Sequence, residues 1–294
     1  MKNVIVLFLG LISFGLSAQQ IQFLDLPSFF DREFEISGLT GNEDNLFLAA
    51  ERCAKIFVVK KEDMTHVETI HLNIDETQGS IEIEGISIYK DFLLITDEKN
   101  GKLFSFNLKT KSLREIKSIG KDLSSFTRNY GMEGIAVDEK SKIVYLLREK
   151  NANQQSEIHS FSISEKEGLL NLNYRNETLI QHENANYRYS GLSINKNNKR
   201  LLCLKSYYIK DHPELDKLEI DYISIDSLTN AKANSNMLIS LTKEVYFMRD
   251  SFATNLEGIY SDNESIFVTS DNGEGEKDCS QKSRGTIMMK VKMD

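Results

Sequence analysis

One phrase, written five times along the chain, limits the fold more than any other feature. It reads "FEISGLTGNEDNLFLAAERCAKIFVVK" at residues 34–60 and "IEIEGISIYKDFLLITDEKNGKLFSFNL" at 81–108. It returns as "GMEGIAVDEKSKIVYLLREK" with "EIHSFSI" (131–163) and as "RYSGLSINKNNKRLLCLKSYY" with "DYISI" (188–225). The last copy is "NLEGIYSDNESIFVTSDNGEG" with "GTIMMKV" (255–291). Each copy holds Glu or Ser, then Gly, Ile or Leu, a polar turn, an apolar strand, a polar loop and a further apolar strand. The repeated glycines are Gly38, Gly85, Gly134, Gly191 and Gly258, spaced 47, 49, 57 and 67 residues apart. That leaves room for four short strands per unit, and repeats of this length and make-up are the mark of a β-propeller.

The strands support that reading. Runs such as "IFVV", "FLLIT" and "SIFVT" are apolar on both faces, as strands must be when each sheet is packed between two others. No later segment carries a sustained helical period. Fourth strands are expected at "HVETIHLN" (66–73), "LREIKSI" (113–119), "YRNETLI" (174–180) and "MLISL" (237–241). The expected fold is therefore all-β, a single propeller of five four-stranded blades. The fifth unit ends after three strands, and "IQFLDLP" (21–27) is placed to supply its fourth, closing the ring by joining the two ends of the chain. A sixth blade stays open if 206–254 holds a degenerate unit, although "SLTNAKANSN" (227–236) reads more simply as a polar loop.

The first residues stand outside this pattern. "MKNVIVLFLGLISFGLSAQQ" has one charge, Lys2, then an apolar run ending in small residues. It reads as a secretory leader with cleavage after Ala18, the apolar run being short for a bilayer span. The expected organisation is leader 1–18 and propeller 19–294, in the periplasm or secreted, without stable membrane insertion, as a monomer. With 44 acidic against 36 basic residues, the chain is a poor partner for nucleic acid or anionic lipid and a better one for cations. Cys53, Cys203 and Cys279 lack zinc-ligand spacing. Cys53 and Cys279 fall in the same loop of units one and five, which become neighbours on closure. A Cys53–Cys279 disulfide is expected, with Cys203 a buried thiol.

Propeller topology gives the repeated acids an address. The first strand of each unit lines the central channel, so its start lies on the same face as the end of the second strand. Glu84, Glu133 and Glu257 occupy the inner starts, with Ser37 and Ser190 in the other two units. At the second-strand ends stand Glu51, Asp97, Glu149 and Asp271, with Lys205 in unit four and Arg148 beside Glu149. The result is an acidic funnel. The glycines let inner strands approach where a Cβ would crowd the neighbour. Three carboxylates around a narrow channel repel, so they need protons, basic partners or a cation. The candidates are Ca²⁺, which takes oxygen ligands, or arginines among Arg128, Arg148, Arg188 and Arg249. Glu84, Glu133 and Glu257 are the candidate metal ligands; Glu51, Asp97, Arg148, Glu149, Lys205 and Asp271 are the candidate ligand-binding residues. The five histidines, His66, His71, His159, His182 and His212, form no readable catalytic motif, and no G-x-S-x-G elbow is present. "SDNGEGEKD" (270–278) does not match EF-hand spacing and reads as an acidic loop at the funnel rim.

The "EGI/SGL" inner strands, the second strands "LFLAAE", "LLITDE" and "IFVTSD", and the leader together resemble the SdiA-regulated group of bacterial propellers. That group is related to phytase-like and esterase-like propellers. The resemblance implies an extracytoplasmic five-bladed propeller with a link to calcium, and leaves its catalytic status open. Two functions follow as expectations. One is a binding module holding a cation and a small or peptidic ligand at the acidic mouth. The other is a metal-dependent hydrolase of phosphoesters or carboxylic esters, with Arg148 or Lys205 stabilising the oxyanion. The absence of a readable nucleophile or base favours the first.

Overall fold

A computed structural model of the protein describes residues 21–31, 34–73, 80–127, 131–197, 199–207, 217–230, 255–271 and 286–292. The first strand, β1 (Ile21–Leu24), is separated from blade one by a short 3-10 turn, Ser28–Asp31. Blade one is β2 (Ile36–Gly41), β3 (Asn45–Ala50), β4 (Lys55–Lys60) and β5 (His66–His71). Blade two follows as β6 (Ile83–Tyr89), β7 (Phe92–Asp97), β8 (Lys102–Asn107) and β9 (Ser112–Glu115). A short β10 (Lys117–Ile119) precedes blade three, which is β11 (Met132–Asp138), β12 (Ile143–Arg148), β13 (Ser156–Lys166) and β14 (Leu169–Ile180). In blade four, β15 (Tyr187–Asn195), β16 (Arg200–Tyr207) and β17 (Lys217–Ser224) lead into the short helix α1 (Ile225–Asn230). Blade five has β18 (Asn255–Ser261), β19 (Ser265–Asp271) and β20 (Met288–Lys292).

The sheets form a five-bladed propeller. Its closure is the expected one: β1 pairs antiparallel with β20, from Ile21↔Val291 to Leu24↔Met288, and completes blade five. The inner strands contact one another in the cyclic order β2, β6, β11, β15, β18 and back to β2. Five apolar clusters fill the gaps, one between each pair of adjacent blades. Val144 and Tyr145 show why the strands are apolar on both faces: consecutive residues of β12, they point into different gaps and are both buried.

The repeated glycines hold the ring together. A Cβ on Gly85 would lie 2.9 Å from the Gly134 Cα, and one on Gly134 would lie 2.7 Å from the Leu192 nitrogen. Gly191 meets the Glu257 carbonyl, Gly258 meets Leu39, and Gly38 meets Ile86, so each inner strand touches the next at its glycine. A side chain at Gly85, Gly134 or Gly191 would meet the backbone of the next blade and force the blades apart.

Two strands differ from expectation. "LREIKSI" is split: β9 stays in blade two, Ile116 turns into the gap between blades two and three, and β10 crosses to pair parallel with β14. Blade three therefore has five strands. β14 also begins earlier than the expected segment, its 12 residues, Leu169–Ile180, pairing along the 11-residue β13. The expected strand 237–241 and the leader lie outside the described residues. Among the described residues, no helix is long and apolar enough to cross a membrane. Cys203 is a buried free thiol in β16, as expected. Cys53 lies in the β3–β4 loop, and Cys279 lies outside the described residues.

Candidate functional site

The start of every inner strand carries the same irregularity. In blade three Met132 pairs with Arg148 and Gly134 with Leu147, leaving Glu133 as an extra residue. The same shift leaves out Ser37, Ser190 and Glu257. In blade two, Glu84 and Gly85 together face Thr96, whose hydroxyl takes the Gly85 amide at 2.7 Å. These are β-bulges, which turn a strand and re-aim one side chain. The motif residue is thus a bulge residue in all five blades, and its glycine is where the next blade is met.

This ring of Ser37, Glu84, Glu133, Ser190 and Glu257 is buried throughout, and its three carboxylates are each more than nine-tenths buried. Ser190 donates to the Leu256 carbonyl of blade five at 2.7 Å. Ser37 Oγ is completely buried and finds no hydrogen-bond partner among the described residues. Glu84 and Glu133 make no hydrogen bond or ion pair among the described residues. Burial first, then the charges of Glu257, Glu51, Glu133 and Glu98, push the Glu84 carboxyl well above the ordinary range. Glu133 is raised likewise by burial, then by Glu149, Glu98 and Glu257, against the opposing pull of Arg188.

A second tier surrounds the first. The backbone amides of Glu51, Glu98 and Glu149 donate to the carbonyls of Glu35, Glu82 and Gly131, which makes the three glutamates equivalent. Their strands align without a gap as "LFLAAE", "LLITDE" and "VYLLRE", and on the same count Ser206 and Asp271 are the fourth and fifth members. Asp97 and Lys205 sit one residue earlier, a register that reading the charges alone missed. Glu98 is the residue overlooked, and it packs over Gly131 of blade three. Burial, then Glu149 and Glu82, raise its carboxyl to about 7. The side chain of Asp271 lies outside the described residues.

The residues expected to bind a ligand divide accordingly. Glu51 pairs with Arg52 at 3.0 Å, and Arg52 also reaches Glu35 at 3.4 Å. Glu149 pairs with Arg188 of blade four at 2.8 Å, and Arg188 Nε donates to Ser206 at 3.2 Å. Asp97 is spent on local structure, accepting from the Glu82 amide at 3.2 Å and from Asn100 at 2.7 Å. Arg148 turns to Glu157 at 3.1 Å and lies over the Phe126 ring at 4.4 Å. Lys205 is enclosed by Glu183, Asp221 and Glu219 at 3.1, 3.5 and 3.7 Å and lies over the Tyr187 ring. The mouth is therefore formed by Glu84, Glu133, Glu257, Glu51, Glu98 and Glu149, with Arg52 and Arg188 as partial counter-charge.

Two buried histidines lie nearby. His182 Nε2 is 2.8 Å from Ser156 Oγ, which donates to the Glu149 carbonyl at 2.5 Å. Burial and the charge of Lys205 lower His182 to about 4. With its proton committed to Glu149, Ser156 anchors the second tier and is not an activated nucleophile. His159 is enclosed with Glu157 at 2.9 Å, and burial lowers its pKa. Among the described residues no group of three or more His, Cys, Asp or Glu is placed to hold a metal ion.

The sequence matches the family model described as SdiA-regulated over residues 32–271. Among curated proteins none matches. Among solved structures, the chain is similar to streptogramin B lyase, with 9% identity, a TM-score of 0.47, and 94% of this chain and 98% of that chain covered. It is similar to a member of the duf4221 family from Bacteroides vulgatus, with 10% identity, a TM-score of 0.47, and 94% and 97% covered. Similarity to the hydrazine synthase of Kuenenia stuttgartiensis has 13% identity and a TM-score of 0.45; it covers 81% of this chain and 56% of that one.

Proposed function

The chain belongs to the SdiA-regulated family of β-propellers, and from that premise we propose that it is an extracytoplasmic binding module. Its acidic mouth takes a cation together with a small or peptidic ligand that carries positive charge. One observation carries this reading: Glu84 and Glu133 are buried on bulges, within the field of further glutamates, and make no ion pair among the described residues. Burying such charge is costly unless it is paired, so a bound cation would stabilise the fold. The orphaned hydroxyl of Ser37 belongs to the same ring and offers one more oxygen.

The described carboxylates do not by themselves make a metal centre. Calcium is the cation we put first on donor chemistry, because the carboxylates and hydroxyls at the mouth are oxygen donors. The export reading rests on the leader sequence. A Cys53–Cys279 disulfide would tie blades one and five beside this mouth. The hydrolase alternative gains nothing from Arg148 and Lys205, whose charges are engaged in ion pairs.

The test is thermal unfolding with Ca²⁺, with Mg²⁺ and with chelator, followed by titration with a lysine-rich peptide. Stabilisation by a cation or by the peptide, lost in Glu84→Gln/Glu133→Gln, supports the reading. No stabilisation by any of the three overturns it.

A further inference from the structure

The channel has a second mouth, and its chemistry is different. Where the inner strands end, a cavity of about 670 Å³ opens among the β2–β3, β6–β7, β11–β12, β15–β16 and β18–β19 turns. That volume lies within the ordinary range for small-molecule sites. Thr40, Ser87, Ser193 and Tyr260 line it, each two residues beyond a repeated glycine. In blade three the same position is Ala136, which leaves space.

These hydroxyls are not used up by the fold. Thr40 and Ser87 are more than nine-tenths buried, yet neither hydroxyl makes a hydrogen bond among the described residues. Ser193 Oγ accepts from the Ser261 amide at 3.0 Å and keeps its own proton for another acceptor. The Tyr260 ring lies against Gly41, with 2.7 Å to where a Cβ would stand, and its hydroxyl also has no partner among the described residues. Burial raises that hydroxyl to about 12, so it stays a neutral donor.

The rim adds no net field of one sign. Lys61 is paired with Asp262 at 3.4 Å and Lys90 with Glu165 at 2.9 Å, while other lysines and glutamates on the rim oppose each other. A charged ligand would gain little here. Groups that both donate and accept match ligand groups that do the same.

We propose that the far-mouth cavity is a second ligand site, for a small neutral polyhydroxy compound of mono- or disaccharide size. The ligand's hydroxyls exchange hydrogen bonds with Thr40, Ser87, Ser193 and Tyr260. The site is independent of the acidic mouth, being reached from the opposite face.

Saturation-transfer NMR with glucose, maltose, N-acetylglucosamine and myo-inositol tests this. Transfer to at least one probe is expected in the wild type. It should weaken about tenfold in Thr40→Val/Ser87→Ala, since two hydrogen bonds of modest worth are lost. Tyr260→Phe should weaken it separately, which guards against a fold defect in the double variant, and the response of unfolding to Ca²⁺ should be the same in all three proteins. Absence of transfer from all four probes, or transfer unchanged in both variants, overturns the proposal. So does binding at this cavity by acetate or lysine in preference to the sugars.

Discussion

The two mouths of the channel are built from the same five strands and could hardly differ more. At one end the bulged residues are Glu in three blades and Ser in two, all buried, and Glu84 and Glu133 make no ion pair among the described residues. At the other, four residues from the same strands present hydroxyls around a cavity with a balanced rim. Between them lies a waist where each glycine meets the next blade. The repeat fixes the scaffold, and a three-residue step along each inner strand moves from charge to neutral polarity. One strand set thus offers two chemically separate surfaces.

The largest effect is expected at the waist, on which both mouths depend. Gly191→Ala would drive a Cβ into the Glu257 carbonyl, and the backbone cannot give way as a side chain would. A loss of about 3 kcal/mol or more is expected, read as a lower urea midpoint, with both binding responses lost together. A near-neutral result would mean the blades are not locked here.

Next comes the proposed bond between Cys53 and Cys279. Cys53→Ser should lower stability by about 2–4 kcal/mol if the bond to Cys279 exists. A non-reduced peptide map should then show the two peptides linked. Arg188→Gln removes the partner of Glu149 and a basic group whose charge pulls down the Glu133 carboxyl. We expect a loss of about 2 kcal/mol without cation and a larger stabilisation by Ca²⁺ than in the wild type. A smaller one would show that Arg188 helps to hold the ligand.

The pH dependence should separate the mouths further. Glu98, raised to about 7, and Glu84 and Glu133, raised by burial and neighbouring charge, keep protons in the folded protein that the unfolded chain releases at lower pH. Their contribution to stability is full at and below the ordinary carboxylate range and is lost as pH rises through about 7 and above. Glu157, lowered to about 2 with hydrogen bonds from His159, Asn151 and Arg148, works the other way and protects the fold until pH falls well below 4.5. His182, lowered to about 4, and His159, lowered by burial, also favour the higher pH, but the three raised glutamates outweigh them, so cation-free protein should melt higher at pH 5.5 than at pH 8. Glu98→Gln should flatten that slope, whereas Ser87→Ala, at the far mouth, should leave it intact and change stability by about 0.5 kcal/mol at most.

Blade number and ring closure were legible in the sequence because both follow from repeat spacing and the position of the spare strand. The position of Glu84, Glu133 and Glu257 at the starts of inner strands was legible for the same reason. The bulges were not, although a glycine within a strand is a known sign of one. Asp97 and Lys205 were selected by charge, whereas gapless alignment of "LLITDE" with "LFLAAE" points to Glu98 and Ser206. Arg148 meets Glu157 as its cross-strand partner in β13, whereas its contact with Phe126 depends on the segment before blade three folding back, as does the split of "LREIKSI". Such long-range choices leave no local mark. The far-mouth hydroxyls went unnoticed because single Ser and Thr residues in a strand carry no pattern until the ring sets them side by side.

The most direct test of the central claim, that the acidic mouth is kept for a cation, is thermal unfolding at pH 7.5 with Ca²⁺ and with chelator. It should be run on the wild type and on Glu84→Gln/Glu133→Gln/Glu257→Gln. The account predicts that Ca²⁺ raises the wild-type midpoint by about 2–4 °C for each kcal/mol of binding. It also predicts that the chelated variant melts above the chelated wild type and ignores Ca²⁺. A variant that still responds to Ca²⁺, or that melts lower than the wild type in chelator, would contradict it.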